Sequence, residues 1–232
     1  MTLASLIIPT RNRRTELAAS LNHLSTLALE SCEIVIADNA SEPPIHAPAA
    51  ANGVPVRTVR LTHNAGAAAR NAAAEQANGD WLVMLDDDSV PTDCAFLESL
   101  SRQPKDTAAV MADIRIADGT REMGGLPEVF VGCGAAVRRD AFLAAGGYDA
   151  AFGYYAEEYD LCAKLLLAGD RVGFEPAFGV LHRRTDTNRD FARTLRLLTR
   201  NNAWVAQRYA PDDEREEAIR RDLHRYRAIA ED

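Results

Sequence analysis

Three consecutive carboxylates, Asp86, Asp87 and Asp88, directly follow the apolar run 81–85. A folded chain tolerates this much negative charge at the end of a buried strand only when a cation or hydrogen-bond donors neutralise it. Because carboxylate oxygens are the ligands that hard divalent ions prefer, the run predicts a metal site. The alternative interpretation is a turn in which Asp88 or Ser89 caps the helix that follows.

Other candidate strands of the first half end in residues that could contact the same ligand. They are Pro9, Thr10 and Arg11, then Asp38 and Asn39, then Asn64. Ligands of open α/β sheets bind beyond the carboxyl ends of the strands, so we expect these residues to line one crevice. Asp38 could accept a hydrogen bond from a nucleotide base, or it could form an ordinary Asx turn.

Gly66 and Arg70 lie at the start of an alanine-rich helical segment. Gly66 could let the backbone approach a ligand, although small residues also let a helix pack close to a sheet. Arg70, one turn later, could support neighbouring carboxylates or bind a diphosphate. The alternative for a lone helical arginine is a solvated surface charge.

Glu157, Glu158 and Asp160 open another predicted helix. The helix dipole favours acidic side chains in a first turn, but three within four residues exceed what capping needs. One of them with a raised pKa would serve as a general base. His182 ends a short apolar run, where its imidazole is either structural or completes the metal site begun by two aspartates.

The elements that must position these residues alternate between strand-like and helix-like patterns, which predicts an α/β fold with a largely parallel sheet. Strands are expected at 3–9, 33–37, 54–61, 81–86, 107–114, 129–137, 171–175 and 178–181. Helices are expected at about 17–28, 66–78, 139–145, 157–168 and 191–209, with a last charged helix running to about 229.

The long C-terminal helical pattern carries apolar residues on one side and arginines on the other. The arginines are Arg189, Arg193, Arg196 and Arg200. They form either a solvated face or, together with Arg183 and Arg184, a basic surface that attracts a diphosphate or anionic lipid headgroups.

Composition narrows the class of protein. A chain of 232 residues, 47% of them hydrophobic, corresponds to one large domain or one and a half. The four cysteines show no CxxC spacing, which argues against a zinc site or a disulfide framework and favours a reducing cytoplasm. No apolar run reaches about 18 residues, so we expect a soluble protein that is neither secreted nor membrane-spanning. The net charge of −8 argues against nucleic acid as a partner.

Two further motifs concern nucleotides and phosphates. Gly132-Cys133-Gly134 is similar to the start of a dinucleotide fingerprint, but Val137 occupies the third glycine position and argues against it. Asp86-x-Asp88 is similar to the nucleophile motif of haloacid-dehalogenase-type phosphatases. A Mg²⁺-dependent phosphatase with Asp86 as nucleophile is therefore the alternative enzyme.

Taken in order, the motifs resemble those of family 2 glycosyltransferases of GT-A fold. The resemblance covers about residues 3–182 and rests on segments 6–13, 34–41, 64–71, 85–88, 132–139, 142–149, 157–161 and 180–182. It implies a mostly parallel sheet flanked by helices in a catalytic domain over 1–182. The nucleotide-sugar half would be about 1–90 and the acceptor half about 91–182. The basic loop and helices of 183–232 are expected to pack on the same domain.

The resemblance also implies an inverting transfer of sugar from a UDP-, dTDP- or GDP-sugar to a hydroxyl of a glycan, lipid-linked or small-molecule acceptor. It implies Mg²⁺ or Mn²⁺ at Asp86, Asp88 and His182, and Glu158 as catalytic base. Implied nucleotide-sugar contacts are Pro9, Thr10, Arg11, Asp38, Asn39, Asn64, Gly66, Arg70, Asp86 and Asp87. Implied acceptor contacts are Gly134, Glu157 and Asp160. Such an enzyme of polysaccharide biosynthesis is expected in the cytoplasm or peripherally at the inner face of the membrane.

The sequence departs from the family pattern at the base, where Glu157-Glu158 replaces the usual Glu-Asp. One additional methylene still reaches an acceptor hydroxyl, so Glu158 is kept as the base, with Glu157 and Asp160 as alternatives. The same departure leaves open a non-catalytic homologue that binds a sugar nucleotide without turnover.

Overall fold

The computed structural model describes residues 2–122, 128–184 and 190–231. Its strands are β1 (Ala4–Thr10), β2 (Cys32–Asp38), β3 (Ala50–Ala51), β4 (Val54–Arg60), β5 (Trp81–Leu85), β6 (Ser89–Pro91), β7 (Thr107–Ile116), β8 (Arg121–Glu122), β9 (Gly134–Arg138) and β10 (Arg171–His182). Its helices are α1 (Arg14–Leu24), α2 (Ala69–Gln76), α3 (Ala95–Ser101), α4 (Arg139–Ala144), α5 (Glu157–Leu167), α6 (Phe191–Tyr209) and α7 (Arg215–Glu231).

The first half forms the parallel part of the sheet, in the order β4-β2-β1-β5. Leu6 of β1 lies in register with Ile34 of β2 and Val83 of β5. β1, β2 and β5 are apolar on both faces because both faces are covered, and apolar clusters pack on each side of the sheet. Strand β4 is partly exposed. The predicted α/β class is confirmed. Thr10, Asp38 and the residues after Leu85 therefore lie along one edge of the sheet.

The second half is mixed rather than largely parallel. β9 pairs antiparallel with both β5 and β7, and β6 pairs antiparallel with β10, whereas β7 and β10 are parallel. A strand that runs parallel to its neighbour is reached through a crossover connection, which is usually a helix. The described residues between β8 and β9 form no helix. β9 can therefore return beside β5 in the opposite direction, which brings Gly134 opposite Leu85.

Two local expectations are wrong. The segments 171–175 and 178–181 form the single strand β10, whose register against β7 shifts between Glu175 and Gly179. The run after Asp88 continues into strand β6, and α3 begins only at Ala95. Asp88 and Ser89 therefore do not cap a helix.

The C-terminal helices differ in how they contact the rest of the chain. In α6, Asn201 is fully buried, while α7 has no buried residue. Arg200 is exposed like Arg193 and Arg196, but its guanidinium also stacks on Trp204 and donates to the carbonyl of Phe152. Arg189 lies outside the described residues. Within the described part of the chain, no helix is long and apolar enough to cross a membrane.

The cysteines are unpaired and differ in accessibility. Cys32, Cys133 and Cys162 are buried, whereas Cys94, just before α3, is exposed. Burial raises the pKa of Cys32 and of Cys162 to about 12. The expected absence of a disulfide framework agrees with this arrangement among the described residues.

Candidate active site

The acidic turn, Asp86–Asp88, follows β5 and is held by residues at the end of β1. Thr10 Oγ1 donates to Asp87 Oδ2 over 2.8 Å. Arg13 pairs with two carboxylates, through Nε at 2.9 Å from Asp87 Oδ1 and through Nη2 with Asp88. Burial raises the pKa of Asp87 to about 7, although Arg13 and Thr10 favour its charged form. Hydrogen-bond donors thus neutralise part of the turn.

Asp86 is the most accessible of the three, with its side chain 40% exposed, and it pairs with the guanidinium of Arg70. Arg70 is buried and also donates to the carbonyls of Leu85 at 3.0 Å and Gly132 at 3.2 Å. Arg70 is therefore not a solvated surface charge. It supports a neighbouring carboxylate, as one of the two interpretations of the sequence expects, while contact with a diphosphate remains a prediction.

His182 lies at the end of β10, beside the acidic turn. Its Nε2 is 3.4 Å from Asp88 Oδ1, and its Nδ1 is 2.5 Å from Glu122 Oε2 and 3.6 Å from Cys133 Sγ. Burial lowers the pKa of His182, but hydrogen bonds to Asp88, Cys133 and Glu122 outweigh it and raise that pKa to about 12. The imidazole is therefore positioned between carboxylates.

These donors can hold a divalent cation. Asp86, Cys133 and His182 each offer a ligand atom, and the three atoms lie within 4.8 Å of one another. Asp88 adds a second carboxylate, 3.4 Å from Nε2 of His182. The carboxylate oxygens suit a hard ion such as Mg²⁺ or Mn²⁺, whereas the thiol of Cys133 suits softer ions. His182 would have to release its proton before its nitrogen could bind a metal.

Glu157 and Glu158 open α5 after two residues in the left-handed region, Tyr155 and Ala156, whose φ angles are 72° and 63°. Such residues cost about 1–3 kcal/mol each and persist only where the surroundings hold them. The side-chain amide of Asn201 does so by donating to the carbonyl of Tyr155 over 2.6 Å. The same amide donates to the carbonyls of Tyr154 and Phe152.

The two glutamates have different surroundings. Glu158 Oε1 accepts from the backbone N–H of Gly132 at 3.2 Å, and burial raises the pKa of Glu158. Glu157 is 6% exposed, and among the described residues its Oε2 accepts no hydrogen bond. Burial and the charge of Glu158 raise the pKa of Glu157 well above its usual range. Raised pKa values suit a general base that works near neutral pH.

Asp160 is tied to the protein rather than directed at a ligand. Its fully buried carboxylate accepts from Arg208 at 2.6 Å and Tyr209 at 2.8 Å of α6, and pairs with Lys164 at 2.7 Å. Burial raises the pKa of Asp160, but these three donors outweigh it and hold that pKa below its usual range. As an alternative base, Asp160 is therefore disfavoured, and its acceptor contact remains a prediction.

Asp38 and Asn39 organise the loops beyond β2. Both oxygens of Asp38 accept hydrogen bonds, Oδ1 from Ser41 N at 2.9 Å and Oδ2 from Ile45 N at 3.1 Å and Arg60 at 2.7 Å. Burial raises the pKa of Asp38, yet these bonds outweigh it and lower that pKa. Asp38 thus holds the loop after β2 through backbone N–H groups three and seven residues on, and its contact with a base remains a prediction.

Asn64 and Gly66 lie beside Asn39. The amide of Asn39 donates to Asn64 Oδ1 at 2.9 Å and to the Gly66 carbonyl at 3.1 Å. Gly66 has a φ of +64°, and a β-carbon there would lie 2.1 Å from the carbonyl oxygen of Gly153. The close approach that Gly66 permits in this structure is to protein backbone, so its approach to a ligand remains a prediction.

The remaining predicted residues lie at the same edge of the sheet or within its strands. Pro9 is half-buried within β1 and Arg11 is exposed just after it. Gly134 packs in β9, where a β-carbon would lie 2.6 Å from the side chain of Ile114. The structure thus brings the β1, β5 and β10 ends together with α5. The sequence analysis did not assign Arg13, Glu122 or Cys133 to the site, although Arg13 stands only three residues after Thr10.

The chain is similar in sequence to several known proteins. A family model described as glycosyl transferase family 2 matches residues 5–126. An uncharacterized glycosyltransferase of Haemophilus influenzae is 28% identical over an alignment 190 positions long, which covers 71% of this chain and 62% of that protein. The pre-mycofactocin glycosyltransferase of Mycobacterium tuberculosis is 27% identical over an alignment 213 positions long, which covers 81% of this chain and 44% of that protein. The chain spans less than two thirds of the length of these curated relatives.

Solved structures share the fold. The mannosyltransferase PcManGT from Pyrobaculum calidifontis, in complex with GDP-Man and Mn²⁺, superposes with a TM-score of 0.67 at 16% identity, covering 93% of this chain and 67% of that chain. S. aureus TarS 1–349 in complex with UDP-GlcNAc gives a TM-score of 0.67 at 14% identity, covering 97% and 72%. At these identities the likeness concerns the fold alone.

Proposed function

This chain belongs to glycosyl transferase family 2 and has the GT-A fold, and on that premise we propose that it transfers a sugar from a nucleoside-diphosphate-sugar to an acceptor hydroxyl with inversion. The observation that carries the proposal is that contacts through two intervening residues join two acidic groups. The acidic turn and His182 lie on one side, and Glu158 lies on the other, with Arg70 and Gly132 between them.

The acidic turn is proposed to hold the donor. Asp86, Asp88 and His182 would bind Mg²⁺ or Mn²⁺, which when present supplies Lewis acidity to the departing diphosphate. Complexes of the structural relatives contain GDP-Man with Mn²⁺ and UDP-GlcNAc, which supports a nucleotide-sugar donor. The residues at the ends of β1 and β2 are proposed to contact the nucleotide. They belong to the nucleotide-sugar half, at about 1–90.

Glu158 is proposed to accept the proton of the acceptor hydroxyl at a carboxylate oxygen. Attack from the face opposite the leaving diphosphate inverts the anomeric centre. The acceptor half, about 91–182, would supply Gly134 and Glu157 to a glycan, lipid-linked or small-molecule acceptor, and Asp160 would act there by holding α5 against α6. A peripheral location at the inner face of the membrane is proposed for a lipid-linked acceptor, supported by the exposed Arg193 and Arg196 of α6.

The test is incubation with UDP-, GDP- and dTDP-sugars, Mg²⁺ or Mn²⁺ and an acceptor panel, with nucleoside diphosphate release as the readout. We expect release with at least one donor, and its loss in Glu158→Gln but not in Glu98→Gln, an exposed glutamate of α3. Release of phosphate from phosphomonoesters instead would favour the phosphatase alternative. Tight nucleotide binding without transfer or hydrolysis would favour the non-catalytic homologue.

A further inference from the structure

The carboxylate of Glu158 is placed against the backbone of Gly132. The Gly132 N–H donates to Glu158 Oε1 over 3.2 Å. A β-carbon at residue 132 would lie 2.8 Å from that oxygen, and the next two atoms it would meet also belong to Glu158. The missing side chain at Gly132 is therefore what lets Glu158 lie against this peptide.

Arg70 holds the next peptide group along the chain, the one that carries the Gly132 carbonyl. Its Nη2 donates to Gly132 O over 3.2 Å and to Leu85 O over 3.0 Å, and it pairs with Asp86. Arg70 is only 5% exposed, so water screens these interactions little. A continuous series of contacts thus runs from Asp86 through Arg70 and Gly132 to Glu158.

We propose that Arg70 and Gly132 are positioning residues that set Glu158 relative to the acidic turn. The guanidinium fixes the carbonyl of Gly132, and the N–H on the other side of the same residue orients the carboxylate. All three contacts of Arg70 go through Nη2, which lies one bond further from Cα than the ammonium nitrogen of a lysine would. The inference rests on the proposed function, because it takes Glu158 as the base.

The first test is Gly132→Ala, with Gly173→Ala in β10 as matched control, since a β-carbon at residue 173 meets nothing within 4 Å. Misplacing a reacting group by about 1 Å can cost about a hundredfold in rate. We expect kcat to fall at least about tenfold in Gly132→Ala, while the dissociation constants of Mn²⁺ and UDP stay within about twofold. Unchanged kcat would overturn the role of Gly132.

The decisive test places Gly132→Ala in a Glu158→Asp background. The shorter side chain frees the space that the new β-carbon needs, so we expect the added loss of kcat to shrink to less than about twofold. An equal loss in both backgrounds would overturn the proposal, because Gly132 would then act elsewhere. Arg70→Lys keeps the charge beside Asp86 and is expected to lower kcat; unchanged kcat would remove Arg70 from the proposal.

Crystal structures separate this proposal from the proposed function. If the wild-type protein transfers no sugar, the proposed function fails, but the displacement of Glu158 can still be measured. We expect the Glu158 carboxylate to move away from residue 132 in Gly132→Ala while Arg70 and Asp86 keep their places. A carboxylate that stays where it is would contradict the inference, whatever the activity.

Discussion

Two arginines supply the countercharge of the acidic turn. Arg13 pairs with Asp87 and Asp88, and Arg70 pairs with Asp86, so three aspartates are neutralised from two directions. Breaking a buried ion pair by removing one partner leaves the other charge uncompensated. A cation that binds the acidic turn must therefore compete with the two arginines for the carboxylates. Asp86 is its most accessible ligand, because its side chain is the most exposed of the three.

At the residue scale, Asp88→Asn is expected to weaken Mn²⁺ binding at least about tenfold, since it removes a carboxylate from the proposed ligands. Titration calorimetry with Mn²⁺ alone measures this without any assumption about substrate. Glu98→Gln is the control, because it removes a surface carboxylate from a neighbouring helix. Unaltered Mn²⁺ affinity in Asp88→Asn would place the ion elsewhere.

Residues with a local signal could be proposed for the site from the sequence, whereas contacts between residues far apart in the chain could not be predicted. Asp86, Arg70 and Glu158 stand at strand or helix ends with a recognisable pattern. Arg13 reaches Asp88 across 75 positions, and no local pattern announces that pairing. Cys133 was set aside because it lacks CxxC spacing, whereas its place near His182 results from sheet pairing.

At the element scale, a buried glutamate joins the opposite end of β1 and β2 to the chain entering β5. Glu33 accepts from Ser5 Oγ at 2.7 Å and from the side-chain amide of Asn78 at 3.0 Å. Ser5 Oγ in turn accepts from Gly79 N at 2.9 Å. This contact fixes the depth at which β5 enters the sheet, and with it the place of the acidic turn.

Glu33 should make stability depend on pH. Burial raises the pKa of Glu33, but its hydrogen bonds outweigh it and lower that pKa. The stabilisation is therefore complete above the ordinary glutamate value of about 4.3 and is lost as the pH falls through the lower folded value. We expect Glu33→Gln to be less stable by about 1–3 kcal/mol at pH 7, with a smaller difference at pH 3, by urea unfolding.

Glu30→Gln, an exposed glutamate just before β2, is the control for this pH dependence. It should change stability little at either pH. A difference between Glu33→Gln and wild type that is the same at pH 7 and pH 3 would show that the charge of Glu33 does not matter.

α6 holds the strained turn before α5 through the side-chain amide of Asn201, so Asn201 is the residue to substitute. Asn201→Leu leaves three backbone carbonyls without the amide and should cost about 1–3 kcal/mol. Because the turn places Glu157 and Glu158, we also expect kcat to fall. The fluorescence of Trp204, which packs edge-on against Phe152 at 5.7 Å, reports whether α6 stays docked. Asn202→Leu, facing α7, is the matched control and should keep kcat.

β1, β2 and β5 were predictable because each is an apolar run with polar residues at its end, whereas the short strands β3 and β6 were not predicted. The strands of the second half were not predictable, because an apolar run does not reveal strand direction. Pro176 and Ala177 also interrupt the run that becomes β10. Strand direction there follows from connections between elements, which one sequence expresses weakly.

At the scale of the whole molecule, the face formed by α6 and α7 carries exposed arginines, among them Arg193 and Arg196. If that face contacts anionic lipid, Arg193→Gln with Arg196→Gln should lower binding to vesicles containing phosphatidylserine by about tenfold or more. Cosedimentation at low salt measures this, and added salt should weaken wild-type binding. The pair Arg102→Gln with Arg171→Gln removes the same charge elsewhere; an equal effect would exclude a specific face.

The uneven burial of the four thiols has a practical consequence. Only Cys94 among them is accessible, and it stands between β6 and α3, one short strand away from the acidic turn. A maleimide dye or a nitroxide would therefore attach at one defined point of the native protein, with no cysteine needing to be engineered out. Distance changes between that probe and a labelled nucleotide could then be followed in the unaltered chain.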